Sequence, residues 1–312
     1  MSGKRIVLTT PRYSGINRLL DTYDLYYPPT EQDDRAAFLR DVAPRIEAVV
    51  TTSGEGLDSD ILAAAGKLKL IALLGAGYEG FDLDALKARG IALTNCPAIN
   101  HEDVADAAIG LLLSCARDVA RGDRNVRAGR WREGLQIPRR LRGRTLGIVG
   151  FGAIGRAIAE RGAAFGMDVR WTGPRAKPDA PFPYEPDLIA LAAWSDFLAI
   201  ACRADPGTEG MIDARVLAAL GPEGVLISMA RGSIVDEDAL VAALESGAVG
   251  GAGLDVYAEE PTDPSRWAAF ENVTLMPHMA GSTRESFREV AQIIIDNLRR
   301  HFAGEELIGR IV

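Results

Sequence analysis

The chain has 312 residues, 47% of them hydrophobic and 25% charged. That is a globular composition whose length predicts two domains and which excludes disordered, collagen-like and coiled-coil classes. Acids outnumber bases 43 to 35, and the resulting net charge of −8 argues against a general nucleic-acid binder. The charge is uneven, however: residues 117–144 hold ten Arg and no Lys against Asp118, Asp123 and Glu133, a net +7, so the remainder carries −15.

Residues 1–10 hold one short apolar run, Ile6-Val7-Leu8, before Pro11, too little for the core of a secretory leader. No window approaches the roughly 18 apolar residues of a membrane span; residues 104–116 come nearest and contain Asp106. Cys96, Cys115 and Cys202 are far apart and fit no zinc or C-x-x-C spacing. Buried thiols in a reduced, cytoplasmic setting are therefore expected, with no metal and no membrane partner.

Short aliphatic or β-branched runs at 5–9, 47–52, 69–74 and 91–94 alternate with helical patterns at 59–66 and 83–89, which Gly66 and Gly90 terminate. A long helical stretch at 102–127 follows. A second series places strands at 145–149, 168–172, 197–201, 225–229, 251–255 and 273–276, with helices at 154–165, 187–194, 213–220 and 236–246. This alternation predicts an α/β protein of two doubly wound parallel-sheet domains. The last helix, at 282–302, has no strand to cover in the second series and is expected to cross back to the first. The domains are then 1–99 plus 283–312, and 100–282.

Gly150-Phe-Gly152-Ala-Ile-Gly155 matches G-x-G-x-x-G, with an apolar strand running into it and a helix running out. Gly150 permits the tight turn, Gly152 leaves room for a pyrophosphate, and Gly155 lets helix and strand pack closely. An NAD site places an acid at the end of the next strand, to bind the ribose 2′-OH. Here that position is Thr172, and residues 169–178 hold Arg170, Arg175 and Lys177 but no acid. Thr172 can hydrogen-bond a 2′-phosphate and Arg175 can pair with it, with Lys177 as a second cation, so NADP(H) is expected over NAD(H).

Three polar residues follow later strands of the second series: Arg231, Glu260 and His278. Carboxyl ends of strands in a doubly wound sheet are where ligands bind, so these three can converge on one crevice. They are also what reduction of a 2-oxo acid needs: an Arg for the carboxylate and carbonyl, and a His, held by a carboxylate, to donate a proton as hydride arrives.

With Gly75-Ala-Gly-Tyr-Glu-Gly-Phe-Asp82, Val104-Ala-Asp106, Ala230-Arg-Gly232, Asp236-Glu237, Asp255-Val-Tyr-Ala-Glu-Glu-Pro261 and Pro277-His278, the chain resembles the D-isomer-specific 2-hydroxyacid dehydrogenases over essentially its whole length. The resemblance implies a flavodoxin-like substrate domain from the first unit plus the last helix, a Rossmann cofactor domain, a closing cleft between them, and a homodimer formed through the cofactor domains. It implies that Arg231 binds substrate, that His278 is the acid/base oriented by Glu260, and that the backbone of Leu74, Gly75, Ala76 and Gly77 binds the substrate carboxylate. Implied cofactor contacts are Val104 against the nicotinamide, the turn residues Gly150, Phe151, Gly152, Ala153, Ile154 and Gly155, and Thr172 with Arg175. Cys202, Thr208, Met229, Gly281 and Asp255 (at the carboxamide) join Arg231 and His278 in that implied set. Thr172, where most NAD-using members have Asp, resembles the NADP-using glyoxylate and hydroxypyruvate reductases.

Reduction of glyoxylate or hydroxypyruvate is the leading expectation. A longer acid such as 2-ketogluconate, or an aromatic 2-oxo acid, stays open, because the 51–56 loop, the Tyr78 region and a partner chain set the pocket. The rival class is a non-catalytic dinucleotide sensor resembling nuclear co-repressors of this fold; Arg231, Glu260 and His278 favour an enzyme. His101 reads as solvated or capping, His301 as a cation near a helix C-terminus, and Asp103 and Asp106 as solvated helix charges. Arg117, Arg121, Arg124 and Arg127 share one helical face and read as a solvated or interfacial stripe of the dimer arm, not a nucleic-acid groove.

Overall fold

A computed structural model describes residues 5–10, 22–29, 32–78, 80–97, 99–135 and 137–312. The chain forms two compact units, Met1–Ile99 with Arg284–Val312, and Asn100–Thr283.

The first unit carries a parallel sheet of β1 (Ile6–Thr9), β2 (Asp24–Tyr26), β3 (Ala48–Thr51), β4 (Leu70–Leu73) and β5 (Ala92–Thr94), in the order β2-β1-β3-β4-β5. The inner strands β1, β3 and β4 are unbroken apolar runs buried along their whole length, as covering both faces demands. On one face Leu8, Val49, Ile71 and Leu93 meet Phe38 of α1 (Gln32–Asp41), Ile61 of α2 (Ser59–Ala64) and Leu86 of α3 (Leu83–Ala88). On the other, Val7, Ala48, Val50, Leu70 and Ala72 meet Ala291, Ile294 and Leu298 of the last helix, Arg284–Ala303. Asp58 and Asp82 cap α2 and α3 by accepting first-turn amides. The C-terminal tail covers the edge of β5: the Ile311 amide donates to Leu93 and the Asn95 amide to Gly309, at 2.8 and 3.0 Å. Strand β2 was not anticipated: three half-exposed residues beginning with Asp carry no strand pattern.

In the second unit α4 (His101–Arg117) and α5 (Val119–Arg127) precede β6 (Thr145–Val149), α6 (Ala153–Ala164), β7 (Asp168–Thr172), α7 (Leu188–Trp194), β8 (Phe197–Ile200), α8 (Ala214–Leu220), β9 (Val225–Ser228), α9 (Glu237–Ser246), β10 (Gly251–Leu254) and β11 (Val273–Leu275). The six strands run parallel in the order β11-β10-β9-β8-β6-β7, and the winding reverses between β6 and β8. Helices α4 and α6 cover one face through Ala108, Leu112, Ala157 and Ile158; α7, α8 and α9 cover the other through Leu191, Leu217 and Leu240.

Four expectations are corrected. The helix expected over 102–127 is two helices, broken at Asp118, whose φ of 55° is left-handed; Asp tolerates that conformation and looks ordinary in a helical sequence. Arg117 therefore lies on a different helix from Arg121, Arg124 and Arg127. Two of the four stripe cations are paired: Arg121 with Glu271 at 2.6 Å and Arg127 with Asp123 at 2.9 Å, and further along Arg144 pairs with Asp196 at 3.0 Å. Asp106 is more than a solvated charge, since with Glu102 it grips Arg161 of α6 at 2.6 and 2.7 Å. Burial lowers the pKa of His301, with Arg5 adding to the effect and Glu47 opposing it, so the neutral ring is favoured where a cation was expected.

Among the described residues no helix is long and apolar enough to cross a membrane, and no group of three or more His, Cys, Asp or Glu is placed to hold a metal ion. Burial pushes the thiols of Cys96, Cys115 and Cys202 up to about 11. A raised pKa leaves them protonated at pH 8, with on the order of a hundredfold less thiolate than an unfolded cysteine. Native protein should therefore react slowly with a chromogenic disulfide reagent at pH 8, and all three thiols should react at once in denaturant; fast native labelling would contradict the burial.

Candidate active site

The glycine-rich turn sits at the carboxyl end of β6, where the winding reverses. Gly150 has φ 93°, and a Cβ there would lie 2.4 Å from Cys202 Cα, at the exit of β8. A Cβ on Gly155 would lie 2.0 Å from the Gly150 carbonyl oxygen. Both glycines are thus demanded by backbone packing, and Cys202 is brought directly against the turn. Gly152 differs: nothing lies within 4 Å of a Cβ built on it, and as the residue before α6 it supplies no side-chain cap. A helix start whose amides lack a side-chain acceptor, beside open space, fits a pyrophosphate. Phe151 is buried and stacked on Trp171 at 4.6 Å, while Ala153 is exposed and Ile154 half-buried in the first turn of α6.

Thr172 ends β7, is buried, and accepts the Gly150 amide on its carbonyl at 2.9 Å. Beyond it Arg175 is exposed, and Lys177 reaches back to donate to the Phe151 carbonyl at 2.5 Å. One ammonium group thus sits on the turn itself. Met229 is buried at the end of β9, next to β8 through its amide on Ile200. The Thr208 hydroxyl is used inside its own turn, accepting the Asp205 amide at 2.9 Å and lying 3.0 Å from the carbonyls of Arg203 and Asp205. Val104 and Gly281 are neighbours: a Cβ on Gly281 would fall 3.3 Å from Val104 Cγ2 and 2.1 Å from Asn100 Nδ2.

The exits of β9, β10 and β11 carry the polar set. Arg231 is extended (φ −143°, ψ 145°), and its Nη1 donates to the Ala230 carbonyl at 2.7 Å. Gly232 lies so close to Tyr257 that a Cβ would fall 1.9 Å from its carbonyl group. Only glycine lets the Arg231 segment lie against the β10 exit. Asp255, 1% exposed, accepts the amides of Met279 and Ala280 on its two carboxylate oxygens, at 2.8 and 2.9 Å, while its carbonyl accepts the His278 amide at 2.8 Å. Burial raises the Asp255 pKa against the opposing pull of those two side-chain-bound amides and of His278. His278 has φ 52°, the left-handed region that costs a Cβ-bearing residue about 1–2 kcal/mol, and these three bonds hold it there. Its Nδ1 lies 2.6 Å from Glu260 Oε2, and Glu260 Oε1 accepts the Tyr257 amide at 3.0 Å. With the carboxylate engaged at Nδ1, Nε2 is the nitrogen positioned to give or take a proton.

In the first unit the 74–77 loop follows β4. The Leu74 amide donates to Thr51, the Gly75 carbonyl accepts the Cys96 amide, and the Ala76 carbonyl accepts Asn95 Nδ2, at 2.7, 2.8 and 2.7 Å. Among the described residues the amides of Gly75, Ala76 and Gly77 make no hydrogen bond within the chain.

Three further residues serve the site and were not singled out for it. Tyr257 donates its hydroxyl to the Met276 carbonyl at 2.7 Å. Glu237 accepts the Ala258 amide at 2.5 Å, and Asn100 packs on Gly281. Tyr257 and Glu237 stood inside quoted motifs, but only the folded backbone reveals the carbonyl and amide they meet.

The model for the NAD-binding domain of D-isomer-specific 2-hydroxyacid dehydrogenases matches residues 109–280. The chain is 39% identical over 268 residues, 86% of each sequence, to glyoxylate/hydroxypyruvate reductase A of Arabidopsis thaliana. It is 36% identical over 98% of each sequence to hydroxyphenylpyruvate reductase of Plectranthus scutellarioides. The crystal structure of NADPH-dependent glyoxylate/hydroxypyruvate reductase from Sinorhizobium meliloti, in complex with NADP and malonate, superposes with a TM-score of 0.88 at 35% identity, covering 100% of this chain and 97% of that one. Fold and site together are those of a nicotinamide-dependent oxidoreductase acting on a CH–OH group. The chain belongs to the D-isomer-specific 2-hydroxyacid dehydrogenase family, whose reaction in the reductive direction is that of a 2-oxo acid.

The two kinds of glycine separate experimentally. Gly155→Ala should destabilise the fold by about 1–3 kcal/mol, since backbone must move. Gly152→Ala should stay within about 0.5 kcal/mol of wild type yet weaken dinucleotide binding. Urea unfolding and cofactor fluorescence titration measure the two effects; a destabilised Gly152→Ala would contradict the open cradle.

Proposed function

We propose that the protein reduces glyoxylate or hydroxypyruvate with NADPH, giving glycolate or D-glycerate. The observation that carries the acid–base part is the 2.6 Å pair of His278 Nδ1 with Glu260. When bound, the nicotinamide supplies the hydride. Arg231 binds the substrate carboxylate and polarises the carbonyl; in the first unit the amides of Gly75, Ala76 and Gly77 are suited to a carboxylate, whereas the Leu74 amide is already bound to Thr51. His278 Nε2 gives its proton to the carbonyl oxygen as the carbonyl carbon is reduced, and Glu260 stabilises the imidazolium that supplies it. In the oxidative direction the same nitrogen takes the hydroxyl proton. Asp255, buried under two amides, braces this segment, and contact with the carboxamide falls to it in this reading.

NADPH preference is supported by Thr172 in place of an acid, by exposed Arg175 and by Lys177 on the turn. The NADP-bound Sinorhizobium structure supports the same choice. An aromatic 2-oxo acid is the second reading, favoured by the likeness to hydroxyphenylpyruvate reductase over nearly the whole chain. We also propose a homodimer through the second unit: within residues 119–137 the large apolar side chains Val119, Val126, Trp131 and Ile137 expose 57, 58, 66 and 95% of their surface, as residues that a partner covers do.

A panel of glyoxylate, hydroxypyruvate, 2-ketogluconate and hydroxyphenylpyruvate with each cofactor tests the substrate and cofactor together. The expected order of kcat/KM places the two small acids first and NADPH above NADH, and Arg175→Ala should narrow the cofactor ratio; a preference for NADH would sink the cofactor assignment. His278→Gln should lose at least about a hundredfold in turnover while still binding NADPH, and Arg231→Ala should lose both affinity and rate. Light scattering should give twice the monomer mass, falling toward the monomer on Ile137→Glu.

A further inference from the structure

We propose that Tyr257 is a positioning residue for this reaction, its hydroxyl on the Met276 carbonyl and its amide on Glu260 together setting the His278–Glu260 pair; this rests on the acid–base reading above. The two members of that pair leave different strands. His278 stands two residues beyond Met276, at the exit of β11, and Glu260 stands in the turn after β10. The Tyr257 phenol bridges the two exits at 2.7 Å, with the Leu254 carbonyl 3.4 Å away as a second neighbour. Its amide holds one oxygen of Glu260 while the imidazole takes the other. The ring is buried and tilted against Trp267, centroids 6.0 Å apart, and Trp267 is itself anchored by its indole N–H on Thr262 Oγ1 at 2.9 Å. The Tyr257 carbonyl group lies against Gly232, so the residue beside Arg231 rests on the same frame.

The phenol is suited to one role. Burial, reinforced by the carboxylates of Asp255, Glu260 and Glu237, pushes it up to about 12. It therefore stays protonated and donates through neutral and mildly alkaline pH. A phenylalanine would fill the same space but leave the Met276 carbonyl without this donor, and the His278–Glu260 pair would lose one of the links that tie the β11 exit to the β10 exit.

A double-substitution cycle tests the assignment: wild type, Tyr257→Phe, His278→Gln and the double variant, each assayed with NADPH and whichever 2-oxo acid of the panel gives the highest kcat/KM, with thermal unfolding of each. Tyr257→Phe should lower kcat about five- to tenfold with KM within about twofold, and its solvent deuterium isotope effect on kcat should rise, because proton delivery becomes slower. In the His278→Gln background the same substitution should change the residual kcat by less than about twofold, since a residue acting through His278 has nothing left to position. An unchanged kcat for Tyr257→Phe, or an equal proportional loss in both backgrounds, overturns the proposal and leaves Tyr257 a packing residue. Near-wild-type turnover by His278→Gln overturns the acid–base reading beneath it, a different result from the same experiment.

Discussion

The arrangement of Glu260 and His278 in the second unit depends on one buried carboxylate. Asp255 takes the amides of Met279 and Ala280 on its two oxygens, and its own carbonyl takes the amide of His278 between them and the strand. A carboxylate out of water is costly unless it is hydrogen-bonded. Here the compensation comes from the very backbone that must be held in a left-handed turn. The same hydrogen bonds thus offset both the strain at His278 and the desolvation at Asp255, and together they aim an imidazole off the end of a parallel strand.

From that clamp the remaining parts follow by short contacts. Glycine at 232 allows the β9 exit to lie on the β10 exit, Glu260 folds back to meet both the Tyr257 amide and the imidazole, and Arg231 leaves the adjacent strand. At the other side of the sheet the reversal between β6 and β8 opens the helix start at Gly152, with Lys177 held over the turn. Lys177 on the turn and Arg231 at the β9 exit are thus separate cations, while four arginines of the 117–144 segment, Arg121, Arg127, Arg139 and Arg144, are tied up in ion pairs.

Much of this was legible in the amino-acid order. The strands showed because parallel strands covered on both faces are unbroken apolar runs, and the turn showed because Gly150 and Gly155 answer steric demands of the backbone on either side of the open Gly152, at fixed spacing. Arg231, Glu260 and His278 were legible because each follows such a run. What stayed hidden was three-dimensional. The break at Asp118 depends on a backbone angle that its side chain merely tolerates. Strand β2 is too short and too exposed to carry a period. The grip of Glu102 and Asp106 on Arg161 joins helices far apart in sequence, and the service of Tyr257 to Met276 joins a side chain to a carbonyl that no motif records.

The last helix has a consequence for biosynthesis. Among the described residues, the fully buried helical cover on one face of the first sheet, formed by Val7, Ala48, Val50, Leu70 and Ala72, comes from Ala291, Ile294 and Leu298 of the last helix. On the ribosome that face emerges early and waits while the whole of Asn100–Thr283 is made, roughly 10–40 s at ordinary elongation rates. The second unit has all its strands and covering helices in one continuous segment and can close first. The first unit is therefore the late folder, with a sticky apolar sheet as its nascent intermediate, and chaperone dependence should concentrate there.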